Sequence, residues 1–359
     1  MKFIHCSDLH LDSKIEALST EKRTVRREEI LRTFEKMVEF AFSNEVRAII
    51  IAGDMFDTDT VTQKTRARVM NTINKFPNID FLYLSGNHDD DNFINSLDIL
   101  PQNLKVFADE WTSFRYENVV ISGIKFAPTN VNSIYDSLIL SNEDLNIVTM
   151  HGQVVGYKNN DNDKSEIISL PKLKDKNINY LALGHIHSYA EGELGIGGKY
   201  AYSGCLDGRG FDETGEKGFV LIDTSENSLT TRFIKASSRI LYEYEFDVSE
   251  YDFWLDAKEK LVNNLSSYSP SSLIKVVLKG GHALDFEVDK DGLTRLLNER
   301  FFFAKVVDKT DLKVSEKDYE NDKSVLGEFV REVLSSDLDA EKKKKIIMCG
   351  INAIKGEEL

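Results

Sequence analysis

Cysteine is scarce in this chain: three thiols, Cys6, Cys205 and Cys349, stand among 359 residues. They are odd in number and far apart, with no Cys-x-x-Cys pair, so neither a disulfide framework nor a thiolate zinc site is indicated. Long apolar runs are missing too. No stretch approaches the roughly 18 residues that span a bilayer. The amino terminus reaches Asp8 after only a few apolar residues, which leaves no room for a secretory h-region. The chain is therefore expected to be soluble and cytoplasmic, with no membrane association. An excess of positive charge is also lacking. A formal net charge of -15 argues against a general nucleic-acid coat, whose affinity comes from broad phosphate neutralisation. Nucleic acid as a substrate stays open, because bound cations or a single basic face can supply local positive charge.

What is present is ordinary globular material. At 41% hydrophobic and 29% charged, the composition suits a packed core and not a disordered chain. The length suits one large domain with one or two smaller ones. Residues 2–234 alternate short apolar runs (2–6, 46–52, 79–85, 119–126, 146–151, 180–184, 218–223) with helical patterns at 26–43 and 62–75. That alternation predicts an α/β fold. Ile30, Phe34, Met37, Val38 and Ala41 recur at helical spacing and predict a face packed on the sheet. The Asn/Asp-rich stretch 158–164 predicts a mobile loop bordering the site. Near Ser237 and Ser238 the texture changes. Strand 242–248, helix 252–264, strand 273–278, helix 290–299 and strand 302–307 then predict a second α/β unit, and two amphipathic helices follow from 322 onward.

Five short strings carry the chemistry: Asp8-Leu9-His10, Gly53-Asp54-Met55-Phe56-Asp57, Gly86-Asn87-His88-Asp89, His151-Gly152 and Gly184-His185-Ile186-His187. Five of the seven histidines fall inside them. Each string sits at the carboxyl end of an apolar run, where open α/β sheets place their ligands. Asp8 and His10, two apart at a strand end, point the same way and can share one metal ion. Asp54, presented by a glycine turn, can bridge two cations, as anions do in pairs held about 3.5–4 Å apart. Asn87 offers a neutral oxygen that limits the charge collected there. His88 is then free to act as an acid. His151, His185 and His187 add imidazole nitrogens suited to transition metals. Singly these motifs are weak; jointly, in this order, they point to a metal site. His5 and His282 match no motif and are expected to be a strand residue near the site and a surface residue.

The five strings resemble the calcineurin-like metallophosphoesterase superfamily over residues 8–187. The resemblance implies a four-layer α/β/β/α sandwich. It puts Asp8, His10, Asp54 and His187 on one metal and Asp54, Asn87, His151 and His185 on the other, the family's metals being usually manganese, iron or zinc. Two-metal hydrolysis then uses a hydroxide held between the ions to attack phosphorus in line, with the metals taking up the developing charge. His88 as imidazolium would protonate the leaving oxygen. Asp57 resembles the family carboxylate that orients this histidine.

Within the superfamily, Thr58 and Asp59 stand where protein phosphatases carry Arg-Gly, which disfavours that branch. The opening Phe3-Ile4-His5-Cys6-Ser7-Asp8-Leu9-His10-Leu11-Asp12 resembles the start of the Mre11/SbcD nucleases, and so does Glu213-Thr214-Gly215-Glu216-Lys217-Gly218, a segment that closes the nuclease domain in that family. Within that family the chain resembles the YhaO-like bacterial branch. The resemblance implies a manganese-dependent exonuclease and endonuclease of DNA double-strand-break repair, holding two Mn2+ ions and acting on DNA ends. It also implies a homodimer, through helices near 62–75 and 93–100, and a Rad50/SbcC-like SMC-type ATPase as partner. The expected layout is a nuclease domain at 1–238, a DNA-binding α/β cap at 239–310 and a helical ATPase-docking segment at 311–359. Arg209 and the loop 208–215 are expected either to approach the DNA backbone or to form a plain turn. Two alternatives remain: a phosphodiesterase for a small substrate such as a cyclic nucleotide, and a non-enzymatic scaffold for the ATPase.

Overall fold

A computed structural model describes residues 1–15, 17–57, 61–87, 89, 94, 100–154, 166–225, 228–283, 286–313, 319 and 321–355. The chain opens with strand β1 (Lys2–Cys6), helix α1 (Thr20–Ser43), β2 (Val46–Ala52), α2 (Gln63–Lys75), β3 (Asp80–Leu84) and β4 (Leu104–Val106). The four strands run parallel and in order in one sheet. Parallel strands covered on both faces need near-continuous apolar sequence. Val46–Ala52 supplies it, with every residue but Arg47 buried. Both helices begin at side-chain caps: Ser19 Oγ accepts from Lys22 N–H, and Thr62 Oγ1 from Thr65 N–H. Ile30, Phe34, Met37, Val38 and Ala41 of α1 are buried, as their spacing predicts.

The next strands build a second sheet: β5 (Thr112–Tyr116), β6 (Val119–Gly123), β7 (Leu145–His151), then, after the short pair β8 (Gln153–Val154) and β9 (Ile167–Ile168) and the one-turn helix α3 (Leu170–Leu173), β10 (Tyr180–Gly184), β11 (Ala190–Glu193) and β12 (Lys199–Tyr202). Its order is β11-β12-β10-β7-β6-β5, with parallel strands at the centre and an antiparallel strand at each edge. The chain then returns to the first sheet as β13 (Gly218–Asp223) and β14 (Thr230–Lys235), giving the order β14-β13-β1-β2-β3-β4.

The two sheets share one core. Phe3, Ile50, Leu82 and Leu84 from the first meet Ile121, Ile147, Tyr180 and Ala182 from the second in a single buried cluster. The outer face of the second sheet is covered by Ile134, Tyr135, Leu138 and Leu173, from the segment 128–138 and from α3. The expected α/β sandwich is therefore present, with a thin outer layer on that side. Cys6 and Cys205 are buried and Cys349 is exposed. No described helix is long and apolar enough to cross a membrane.

The chain divides into two compact units, Met1–Leu241 and Tyr242–Leu359. The second holds β15 (Leu241–Asp247), α4 (Trp254–Asn264), β16 (Leu273–His282), α5 (Lys290–Arg300), β17 (Phe303–Leu312), α6 (Val325–Ser335) and α7 (Ala340–Lys355). Its sheet is ordered β15-β16-β17 and its core is formed by residues such as Val248, Leu261, Ile274, Val276, Leu293 and Leu297. The element order matches the expectation, but β16 runs on to His282 because its pairing with β17 continues through Gly280 and Gly281. A smaller cluster of Val330, Val333 and Ile347 joins α6 to α7.

Candidate metal centre

The carboxyl ends of β1, β2, β7 and β10 converge, and the backbone there is strained in a consistent way. Eight described non-glycine residues have positive φ, and four of them are Asp8 (φ 51°), His10 (φ 40°), Asp54 (φ 52°) and His185 (φ 102°). Strained φ of this kind persists only where surroundings over-determine it, and it clusters at functional sites. Here the loops after β1 and β2 are laced together: Asp8, His10 and Leu11 donate their N–H groups to the carbonyls of Gly53, Asp54 and Met55, each at 3.0 Å. Glycine is required where the strings approach one another. Gly53 has φ +95°, and a Cβ there would lie 2.0 Å from His151 Nδ1.

Within this frame the polar groups gather into two overlapping sets. Ligand atoms of Asp8, His10 and His187 lie within 4.8 Å of one another, as do those of Asp8, Asp54 and His151. Asp54 Oδ2 stands between them, 3.7 Å from His10 Nε2 and 3.3 Å from His151 Nε2. Asn87 Oδ1 is 2.9 Å from His151 Nε2. His185 gives its backbone N–H to both Asp8 carboxylate oxygens (3.0 and 3.1 Å), while its ring stands edge-on to His151 with centroids 5.6 Å apart. Ser7 Oγ donates to Asp8 Oδ2.

The donor set fits a cation. His151 Nδ1 donates to the Ala52 carbonyl at 2.9 Å, a group that can only accept, so Nε2 presents its lone pair to the oxygens of Asn87 and Asp54. His187 repeats the arrangement. Its Nδ1 lies 2.8 Å from Glu213 Oε1, and its Nε2 faces His10 Nε2 at 3.3 Å. Lone pairs turned toward one another at these distances are what a divalent ion, or a proton in its place, reconciles. The electrostatics agree. Burial opposes charge on His151, but the carboxylates of Asp54 and Asp8 outweigh it and raise its pKa from 6.5 to about 9. Burial likewise opposes charge on His187, and the Glu213 hydrogen bond and the Asp8 charge raise it nonetheless. Together Asp8, His10, Asp54 and His151 are candidate ligands for divalent metal, with His187 beside them and Asn87 and His185 at the rim. A cavity of about 180 Å3, bordered by Asn87, Lys125, Phe126, His151 and Glu166, adjoins the cluster.

Of the two residues expected to act in proton transfer, His88 lies outside the described residues. Asp57 is described, with its Oδ2 3.9 Å from Arg209 Nη1. The loop 158–164 also lies outside. His5 is fully buried between the sheets, its Nδ1 2.8 Å from the Tyr180 hydroxyl and its Nε2 3.2 Å from the Leu183 carbonyl. His282 is half-buried and stacked on Phe286. Arg209 turns inward to Glu213.

Two carboxylates escaped the sequence reading. Asp89 accepts from the N–H groups of Met55 (3.2 Å), Phe56 (2.9 Å) and Gly86 (3.0 Å), which ties the Asp54 loop to the Asn87 loop. Burial and the nearby Asp54 charge push its pKa up to about 6, against the pull of those three donors. Glu213 meets His187 and Arg209, which overcome its burial and hold it well below the usual carboxylate range. Asp89 closes the string Gly86-Asn87-His88-Asp89, so its position was the one available signal. Nothing local in sequence marks Glu213 as a partner of His187.

The chain is similar to known proteins in the same sense. It is 22% identical over 299 residues to the DNA double-strand break repair protein Mre11 of Sulfolobus acidocaldarius, covering 78% of this chain and 75% of that one. It is 24% identical over 267 residues to the uncharacterized metallophosphoesterase YhaO of Bacillus subtilis, covering 70% and 64%. To the Mre11 of Saccharolobus solfataricus it is 27% identical over 245 residues, covering 63% and 61%. It thus spans less than two thirds of the length of the latter two. The model of the calcineurin-like phosphoesterase family matches residues 1–213, more than half of the chain. The chain belongs to the calcineurin-like phosphoesterase family and is a metal-dependent hydrolase.

Proposed function

We propose that this hydrolase is a DNA exonuclease and endonuclease of the Mre11 type, acting at DNA ends in double-strand-break repair. The observation that carries the reading is the convergence of Asp8, His10, Asp54, His151 and His187 at the carboxyl ends of two facing sheets. The similarity to an Mre11 protein over 78% of the chain supports DNA as the substrate. Asp8, His10, Asp54 and His187 would hold one ion and Asp54, Asn87, His151 and His185 the other, with Mn2+ as the metal in both places. When bound, a pair of divalent ions activates water and takes up charge on a phosphoryl group.

The protein's own residues supply the rest. Asp54, with an oxygen between His10 and His151, sets the spacing of the two ligand sets. The Ala52 carbonyl fixes the His151 ring so that Nε2 faces inward. Asp89 holds the loops that present Asp54 and Asn87. We assign the leaving-group proton to His88 and its orientation to Asp57. We further assign residues 1–238 to the nuclease domain and 239–310 to a DNA-binding cap. Residues 311–359 would dock a Rad50/SbcC-like ATPase, a role supported by the exposed Val325 on α6, and the chain would act as a homodimer.

The test is degradation of end-labelled linear duplex and single-stranded DNA by the purified full chain with Mn2+, beside a small diester, bis-p-nitrophenyl phosphate. Cleavage of DNA that requires Mn2+ and is lost in His88→Leu is the expected result. Turnover of the small diester with intact DNA would move the substrate class to small phosphodiesters and overturn the nuclease reading.

A further inference from the structure

The segment that follows β12 holds His187 at two points. Glu213 is buried, with 1% of its surface exposed, a costly place for a carboxylate unless it is paired. It has two partners. Arg209 donates to it through Nη2 (2.5 Å), Nε (3.0 Å) and its backbone N–H (2.6 Å). His187 Nδ1 approaches the same Oε1 at 2.8 Å. Four residues on, the buried Lys217 extends its ammonium to the His187 carbonyl at 2.8 Å, and Cys205 donates its N–H to that carbonyl at 3.2 Å. His187 is thus gripped at its ring by one end of the segment and at its backbone by the other. Gly215, with φ +82°, makes the turn that lets one short segment do both.

We infer that Glu213 is a positioning residue for His187: it accepts the Nδ1–H hydrogen bond, fixes the ring with Nε2 toward Asp8 and His10, and raises the affinity of the metal position His187 serves. This rests on the two-metal reading above. Carboxylates behind metal-facing imidazoles fix the tautomer and increase ligand basicity, and their loss typically weakens binding about 10–100-fold. The competing account treats Glu213 and Arg209 as a structural ion pair that happens to adjoin His187. The two accounts differ in what they expect of Arg209, because removing it breaks the pair but leaves the carboxylate on His187.

The experiment is titration of Mn2+ into the metal-free full chain, followed by the electron paramagnetic resonance signal of free Mn2+ and by titration calorimetry. The wild type is expected to bind two ions. Glu213→Gln, which keeps the size and one acceptor oxygen, is expected to retain one ion and to weaken the other about 10–100-fold. Its metal-free melting temperature should match the wild type. Arg209→Gln should keep both affinities within about threefold. The inference is overturned if Glu213→Gln binds both ions as the wild type does, or if both variants lose affinity and melting temperature together, the signature of a structural pair. A wild-type chain that binds no Mn2+ overturns the metal reading itself, and this inference with it. Should Glu213→Gln fail to fold, Glu213→Asp decides: selective weakening of one ion supports the role, and unchanged binding of both overturns it.

Discussion

The backbone of Gly184 lies so close to the Ala52 carbonyl that a Cβ on Gly184 would stand 1.8 Å from that oxygen. This contact joins the carboxyl end of β10 in one sheet to that of β2 in the other. It sits beside the His151–Ala52 hydrogen bond, so the same carbonyl sets both the sheet separation and the orientation of the His151 ring. Backbone cannot yield as a side chain can. We predict that Gly184→Ala costs about 3 kcal/mol of stability, at the upper end of overpacking effects. Gly197, with φ +75° and nothing within 4 Å of its Cβ position, offers the comparison. There alanine should cost only about 1 kcal/mol, from the left-handed backbone alone. Urea denaturation of the two variants checks the difference, and equal losses would refute the close-contact account.

Arg26 is the largest fully buried side chain among the described residues. Its guanidinium reaches Asp207 (2.5 Å), the Gly208 carbonyl (2.7 Å) and Ser238 Oγ (2.6 Å), while Asp207 also accepts from Thr33 and Ser238. A buried charge deprived of its partner is expensive, whereas replacing both partners by apolar groups can be nearly neutral. Arg26→Met alone is expected to cost about 3–5 kcal/mol, with Arg26→Met/Asp207→Leu recovering most of it. Chemical denaturation of both variants measures this. A single variant within about 1 kcal/mol of wild type would contradict the assigned role.

His5 gives the fold an acid-sensitive point away from the ligands. Burial outweighs its hydrogen bond to the Leu183 carbonyl and lowers its pKa from 6.5 to about 3. The unfolded chain takes up a proton that the folded chain refuses. Stability from the neutral ring is therefore complete above pH 6.5 and is lost as pH falls toward about 3, at about 1.4 kcal/mol per pH unit for one proton. His5→Gln should flatten this limb of the stability curve. Melting temperatures of wild type and variant between pH 4 and 7 test it, and parallel curves would rule His5 out as the source.

Metal uptake should be linked to protons in the opposite sense. The metal-free His151 has its pKa raised to about 9 by Asp54 and Asp8 despite its burial, and it must lose that proton to bind an ion. Mn2+ binding at pH 7 is expected to release protons, with affinity climbing as pH approaches 9. For the metal-free fold, the contribution of the charged ring is full below pH 6.5 and fades as pH rises through about 9. At a free-ion concentration 100 times the Kd, each occupied site should add about 2.7 kcal/mol of stability. Calorimetry in buffers of different ionisation heat counts the protons; a count of zero at pH 7 would exclude the charged metal-free His151.

Much of the first unit was legible because each candidate ligand is tied to a local pattern. The run Val46–Ala52, rich in β-branched residues and closed by a glycine turn, reads as a buried strand with Gly53-Asp54 at its carboxyl end, and all of it but Arg47 is buried. Edge strands were less visible. Ala190–Glu193 and Thr230–Lys235 are half exposed and largely polar, so they lack the apolar signal of the central strands. Helix α1 begins at Thr20, before its periodic face does, because its first turn is polar and its start is fixed by the Ser19 cap.

The sequence by itself determined the family and offered seven candidates for metal binding, since each rests on a short pattern of a few adjacent residues. Only the tertiary structure decided which groups stand behind those residues. Glu213 reaches His187 across 26 positions and Asp89 reaches Met55 across 34, through the way sheet ends and loops meet in space. Periodicity records which way a side chain points from its own strand. It carries no record of what another strand, many residues away, will bring opposite it.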